Sequence, residues 1–362
     1  MRTMININRL LSLSLGFLSA FALFNLTGCS LSANKKQPAN PPVETLSLPA
    51  PISTQSIQSI QTVYDFILLD SQTQQTISVQ QLAKQLKNTD VVFVGEFHGN
   101  HASHLLQAQL QNQLFLQNPN QVLSMEQFNR DQQSVVNRYL DGEVGEAYLI
   151  NEAPAWENYT ASYRPLVEFA KQHFLPVIAA NAPADTVRCI GRQGEAYLDK
   201  LTPEETSLIA EQPLMDVTGY RAFFMNFLSG SSHFNEVKAN NSYLAQLTRD
   251  NTMAESILNA LQANPGAQVI HTNGAFHSNN GLGTVGALKR LDPNVSIKII
   301  SPVHVEVQEQ ETAVRFALSD DDFKKGDVIY LLQPQPEKYI TASYRQQAFK
   351  RMFKKADAKP CR

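Results

Sequence analysis

Two short turns carry the residues best suited to chemistry. Gly95-Glu96-Phe97-His98 and Gly274-Ala275-Phe276-His277 share a Gly-x-x-His spacing, and Glu126 stands in Met125-Glu126-Gln127-Phe128-Asn129. Two carboxylates and two imidazoles form a common ligand and acid–base set for a divalent metal with a bound water. The metal would lower the pKa of that water, and a spare carboxylate would move its proton. Glycine lets the main chain turn sharply beside such a site. Glu96, His98, Glu126 and His277 are therefore the candidate catalytic and metal-ligating residues, with Asn181 as a further member of the cleft. Any one of them alone reads as an ordinary polar residue after a strand; the repeated spacing is what singles out the set. Other histidines carry less weight: His104 is read as facing solvent, His271 as buried within a strand, and His173 as suiting the negative end of a helix.

For these residues to meet, the elements before them must converge. Short β-rich runs precede each turn: Val91–Val94 leads to Glu96 and His98, Val122–Met125 to Glu126, Val177–Ala180 to Asn181, and Val269–Thr272 to His277. Ser296–Ile300 has the same character, and a sixth run, Val328–Leu332, with the alternating Val303, Val305 and Val307 suggests extra strands closing one edge. Helical spacing fills the intervals at Leu105–Leu116, Gln132–Leu140, Tyr163–His173, Tyr243–Leu261 and Gly286–Leu291. Strand alternating with helix predicts an α/β fold, a mostly parallel sheet sandwiched by helices. Such sheets bind ligands at the carboxyl ends of their strands, where all the singled-out residues lie. Neighbouring strands are about 5 Å apart, so groups from two or three of them can share one cleft.

The stretch 182–240 breaks the rhythm with helix starts, such as Thr202-Pro203-Glu204-Glu205, and no convincing strand. It is predicted to be a helical insertion within an α/β domain over 60–334. Residues 335–362 form a C-terminal tail, with an amphipathic helix over Tyr339–Lys355 exposing Lys350, Arg351, Lys354 and Lys355.

The first 59 residues read differently. Arg2 and Arg9 precede an apolar run, Leu10–Leu26, too short and weakly flanked for a permanent span, so 1–28 is predicted to be a secretory signal. The run closes in Leu26-Thr27-Gly28-Cys29, which resembles the bacterial lipobox, in which the Cys thiol takes a diacylglyceryl group, so Cys29 is the expected lipidation site. Ser30 stands where an Asp would signal inner-membrane retention, so an outer-membrane lipoprotein facing the periplasm is expected. Residues 29–59, rich in Asn, Gln, Pro and Ser, have little to bury and read as a flexible tether. The net charge of −3 with no basic block in the body gives nucleic-acid binding no support. An oxidising compartment would permit a bridge between Cys189 and Cys361, although both could equally stay unpaired.

The two Gly-x-x-His turns with Glu126 resemble the superfamily of erythromycin esterases, TIKI/TraB proteins and ChaN-like haem-binding lipoproteins. The ChaN-like family is the best match, through VVFVGEFHGNHASHLLQAQL, SMEQFNRDQQ, YRPLVEFA with LPVIAANAP, AQLTRDNTMA and the NGAFH turn, in order over about residues 60–300. The resemblance implies an α/β sandwich with a helical subdomain, membrane-anchored and binding ferric haem for iron acquisition. It further implies a tyrosine as axial ligand, two haems stacked in a homodimer, and an outer-membrane haem receptor as a partner. No motif places the tyrosine. The aromatic run from Gly219 to Leu228 offers a face for a porphyrin, including Phe224, although a Phe-rich helix is more often core. Tyr220 is the first candidate for iron, followed by Tyr243, Met225 and His233. Arg221, Arg188 and Arg192 are candidates for the propionates. Tyrosinate favours ferric haem.

Two readings follow: a lipid-anchored haem binder, or a metal-dependent hydrolase of esters or peptides working through the strand-end Glu/His set.

Overall fold

The computed structural model describes residues 60–153, 156–229, 235–305, 318–357 and 359–362, with 352–357 described by backbone only. The signal, Cys29, the tether and His233 lie outside the described residues. The strands are Phe66–Asp70 (β1), Thr76–Ile77 (β2), Val91–Glu96 (β3), Gln121–Asn129 (β4), Val177–Asn181 (β5), Gln268–Gly274 (β6), Ile297–His304 (β7) and Val328–Leu332 (β8). They form one sheet in the order β2-β1-β8-β7-β3-β6-β4-β5. All pairings from β8 to β5 are parallel, and β1 and β2 add an antiparallel edge.

Val79–Gln85 (α1) and His101–Gln117 (α2) flank β3 in the chain, and Gln133–Leu140 (α3), Glu146–Glu152 (α4), Tyr159–Ser162 (α5) and Arg164–Gln172 (α6) follow β4. Ala184–Gln193 (α7), Pro203–Ser207 (α8), Tyr220–Ser229 (α9) and the long Glu236–Ala263 (α10) separate β5 from β6, with no strand between them among the described residues. Gly283–Leu291 (α11), Asp320–Phe323 (α12) and Ala342–Asp357 (α13) complete the chain.

Helices cover both faces, which is why the central strands read as continuous apolar runs rather than alternating ones. On one face Val92, Val94, Ile270 and Ile300 pack against Leu82 of α1 and Leu106, Leu110 and Leu114 of α2. On the other, Val91, Phe93, Val122 and Val269 pack against Ala254, Ile257 and Ala260 of α10 and Val285 and Leu288 of α11. Because side chains alternate along a strand, this parity fixes where the polar ends point. Glu96, two beyond Val94, faces α2, whereas Glu126, four beyond Val122, faces α10.

One expectation needs correction. The alternation at Val303 and Val305 is no separate strand: Val303 belongs to the end of β7, and Val307 lies outside the described residues. The edge is closed instead by β1, which pairs with β8 from Phe66↔Leu332 to Asp70↔Val328.

The tail returns across the molecule. Gln335 donates to the Gly99 carbonyl, and Cys361 forms a disulfide with Cys189 of α7 across 172 residues of sequence. Arg192 donates to the Lys359 carbonyl beside it. Residues 341–347 of the tail are exposed. A loop of this length would contribute about 5 kcal/mol if all its entropy were lost only in the unfolded chain. With the bridge open, however, the folded chain also frees roughly 28 residues beyond Gln333. The logarithmic difference between the two loops leaves about 1–2 kcal/mol. Reduction is therefore expected to lower the unfolding midpoint only slightly while exposing the tail to protease. A collapse of the whole fold on reduction would contradict this.

Candidate functional site

The register brings the strand ends level: Glu96 pairs with Gly274, and Met125 with Thr272. Strand β6 lies between β3 and β4, so Glu96 and Glu126 flank the Gly274–His277 turn from opposite sides. Two hydrogen-bond networks grow from these carboxylates.

The first is centred on Glu96. The Tyr163 hydroxyl donates to its Oε1 at 2.5 Å, and the Gln107 amide to its Oε2 at 2.7 Å. His98 Nδ1 lies 2.8 Å from Oε1. Behind Gln107, His104 is buried; its Nε2 accepts from the Gly99 N–H and its Nδ1 meets Gln107 Oε1, which makes it a brace for the loop. Burial alone would raise the pKa of Glu96. The hydrogen bond from His98, the His104 and His98 charges and the Tyr163 hydroxyl overcome it and hold the group below its usual range.

The second network is centred on His277. Its Nδ1 stands 2.7 Å from Asp250 Oδ1, and its Nε2 3.4 Å from Glu126 Oε1. Asp250 also accepts from the Tyr220 hydroxyl at 2.7 Å and from Thr284 at 2.8 Å. The Gly274 N–H donates to Glu126 Oε2 at 2.5 Å, and Asn181 braces the Glu126 carbonyl at 3.0 Å. Burial opposes charge on His277, yet Glu126 and Asp250 push its pKa up to about 10. Burial likewise opposes charge on Glu126, and the His277 charge and hydrogen bond hold it well below the carboxylate range. The triad is thus a buried imidazolium between two carboxylates. His271 is the contrary case: burial takes it down to about 3, so it stays neutral, with Nδ1 at 2.9 Å from the Ser124 hydroxyl.

The expected four-ligand metal centre is not assembled. Among the described residues no group of three or more His, Cys, Asp or Glu is placed to hold a metal. The reason is parity. Glu96 and Glu126 face opposite sides of the sheet, and Glu126 and His277 satisfy each other together with Asp250.

Above both networks opens a cavity of about 630 Å³, within the range typical of cofactor sites. Glu96, His98, Gln246 and His277 lie at its polar side, and Phe97, Phe223, Phe224, Phe227 and Phe276 form its wall. Phe276 is the hub of that wall, with ring centroids at 5.0 Å from Phe223 and 5.1 Å from Phe227. Such packing contributes beyond its area. Phe227 remains 69% exposed, an apolar ring without a full partner.

A family model for "Haem-binding uptake, Tiki superfamily, ChaN" matches residues 82–288. The chain belongs to this family. Of solved structures, the chain is similar to ChaN of Campylobacter jejuni, described with cofacial haem binding, at 17% identity and TM-score 0.53, covering 76% of this chain and all of that one. It is also similar to a mutant of the erythromycin esterase EreC in its open conformation, at 13% identity and TM-score 0.44, covering 72% and 94%. No curated protein matches.

For a ChaN-family chain the relevant group is haem, and the cavity fits it in chemistry: a broad phenylalanine wall opposite a small polar side. The tyrosines are placed differently from expectation. Tyr220 is buried with its hydroxyl on Asp250, and Tyr243 is buried with its hydroxyl on Asp216. Neither lines the cavity. Burial, then the neighbouring carboxylates, raises both pKa values, which opposes tyrosinate. Met225 also lies outside the wall. Arg221 is bonded to Asn240 and stacked on Tyr243, Arg188 pairs with Asp185, and Arg192 holds the tail. None of these arginines lines the cavity.

Sequence reasoning passed over Asp250, Tyr163, Gln107 and the role of His104. Asp250 had a readable signal. It sits in the buried helical stripe Tyr243, Leu247, Asp250, Ala254, Ile257, where a lone acid must have a partner.

Proposed function

We propose that the chain binds ferric haem in the phenylalanine-walled cavity and serves haem-iron uptake. It would do so from a lipid anchor on Cys29, as an outer-membrane lipoprotein facing the periplasm. The observation that carries the reading is the wall itself. Phe276, Phe223 and the exposed Phe227 present aromatic surface to a cavity at the strand ends, in a chain of a haem-binding family. Large apolar groups left beside an open cavity favour a large flat apolar ligand. When bound, haem supplies a ferric iron open to an axial ligand from the protein. A second copy of the chain closing the mouth, and hand-over at an outer-membrane haem receptor, complete this reading.

A tyrosine ligand drawn from Tyr220 or Tyr243 would first have to give up its carboxylate partner. The metal-dependent hydrolase is the weaker reading, because its four groups divide into two networks that are already satisfied.

Titration of ferric haem into the chain tests the proposal. A saturable Soret band distinct from free haem is expected, together with a rise in unfolding midpoint that grows with haem concentration. A spectrum equal to the sum of its components would overturn the reading.

A further inference from the structure

We propose that the C-terminal helix α13 docks on the surface of an anionic lipid bilayer, its aromatic side towards the acyl chains and its cations against the headgroup phosphates. This goes beyond the haem reading and does not depend on it. Three features carry it.

The first is charge. Residues 335–362 hold eight Lys and Arg against Glu337 and Asp357 alone, whereas residues 60–334 hold 18 Lys and Arg against 30 Asp and Glu. A basic tail thus closes an acidic body. An anionic surface attracts the one and repels the other, which orients the molecule tail first. Arg345 pairs with Glu337, Lys359 with Asp185 and Arg362 with Glu205. Lys338, Lys350 and Arg351 are exposed and have no partner among the described residues.

The second is the apolar side of the helix. At about 100° per residue, positions 344, 348, 349, 352 and 353 (Tyr, Ala, Phe, Met and Phe) share one half of α13, while Lys350, Arg351 and Lys354 occupy the other. A helix that belonged to the core would cover that apolar half. Here Tyr344 is 64% and Phe349 49% exposed, and Ile340 just ahead of them is 92% exposed. No helix among the described residues is long and apolar enough to cross a membrane. Aromatic rings on one side and Lys and Arg on the other suit the plane of the interface instead.

The third is where the chain enters. The Ile60 carbonyl accepts from Gln333 at 3.3 Å, two residues before Gln335 meets Gly99. The 31 residues from Cys29 to Ser59 therefore reach the body where the tail leaves it. A lipid on Cys29 and α13 would serve one membrane from one side. The Cys189–Cys361 bridge holds the far end of the tail, so the helix is tied at both ends and loses less freedom on docking.

The test uses the unacylated chain from Ser30, which keeps every described residue, and sedimentation with phosphatidylcholine vesicles made with or without phosphatidylglycerol. Binding is expected only with phosphatidylglycerol and is expected to fall in high salt. Lys350→Gln with Arg351→Gln should weaken it about 25-fold, near fivefold for each charge. Tyr344→Asp with Phe349→Asp should abolish it. All four positions are exposed, so the unfolding midpoints should match that of the parent chain. In Phe349→Trp, lipids brominated on their acyl chains should quench emission beyond the parent, whose one tryptophan is Trp156. Equal binding to both vesicles, binding to neither, undiminished binding by the variants, or no added quenching would each overturn the proposal. Tail-dependent self-association without vesicle binding would also overturn it, and would give α13 to the acidic body of a second copy.

Discussion

Replacing His277 by alanine is expected to cost the folded chain about 3–5 kcal/mol, because it strands two buried carboxylates. Glu126 and Asp250 are both almost inaccessible, and each has its cationic partner in His277. The Gly274, Thr284 and Tyr220 donors and the more distant Arg249 charge would remain, but they do not replace the imidazolium in direct contact with both carboxylates. The pH dependence carries the same information with a definite sign. His277 is raised from 6.5 to about 10, so its contribution is complete below pH 6.5 and is lost as pH rises towards about 10. Glu126 is depressed from 4.5, so its contribution is present above that pH and is lost in stronger acid. Urea unfolding of the wild-type chain should therefore weaken steadily from pH 6.5 to about 10. His277→Ala should lack this slope. Parallel profiles for the two proteins would show that the triad is not an ion pair.

The second large effect concerns the cavity wall. Changing both Phe223 and Phe227 to aspartate is expected to weaken haem binding about 100-fold or more. Each ring would lose on the order of 100 Å² of contact with a flat ligand, or about 2.5 kcal/mol by area. Every 1.4 kcal/mol is about tenfold in affinity, and desolvating two new carboxylates adds to the loss. Phe227 is mostly exposed, so its replacement should leave the unfolding midpoint nearly unchanged; Phe223 is half-buried and should cost modestly more. Competition for haem against a reference binder of known affinity checks the size of the effect. Equal affinities for the variant and the wild-type chain would place haem elsewhere.

Much of the frame was legible because the central strands are covered on both faces. A run such as Val91–Val94 has no other comfortable place than a parallel sheet, and the rim after it was the natural position for Glu96 and His98. The β1–β2 edge was not legible. β2 has only two residues, and the turn between the strands uses Gln74 at φ +57 rather than a glycine, with the Asp70 side chain accepting from Gln72 and Thr73. Nothing in that stretch announces a hairpin.

The site divided in a way no single sequence could display. Whether Glu96 and Glu126 share a face depends on the register of β3 and β4 through the intervening β6, and a one-residue slip reverses the answer. The two stripes of the aromatic run of α9 have different duties. Tyr220 is buried away from the cavity and Phe224 is buried at its wall, while Phe223 and Phe227, offset from them by three, present more open rings to it. His104 was misread as solvent-facing because a polar residue one turn into a helix gives no hint that Gln107 and Glu96 lie beneath it.

A crystal structure of the chain grown with ferric haem, with the iron located by its anomalous scattering, bears most directly on where haem sits. Iron in the cavity between the Phe276 wall and His98 is the outcome expected from this structure. Iron bound anywhere else on the chain, or a cavity that stays empty in excess haem, would refute it.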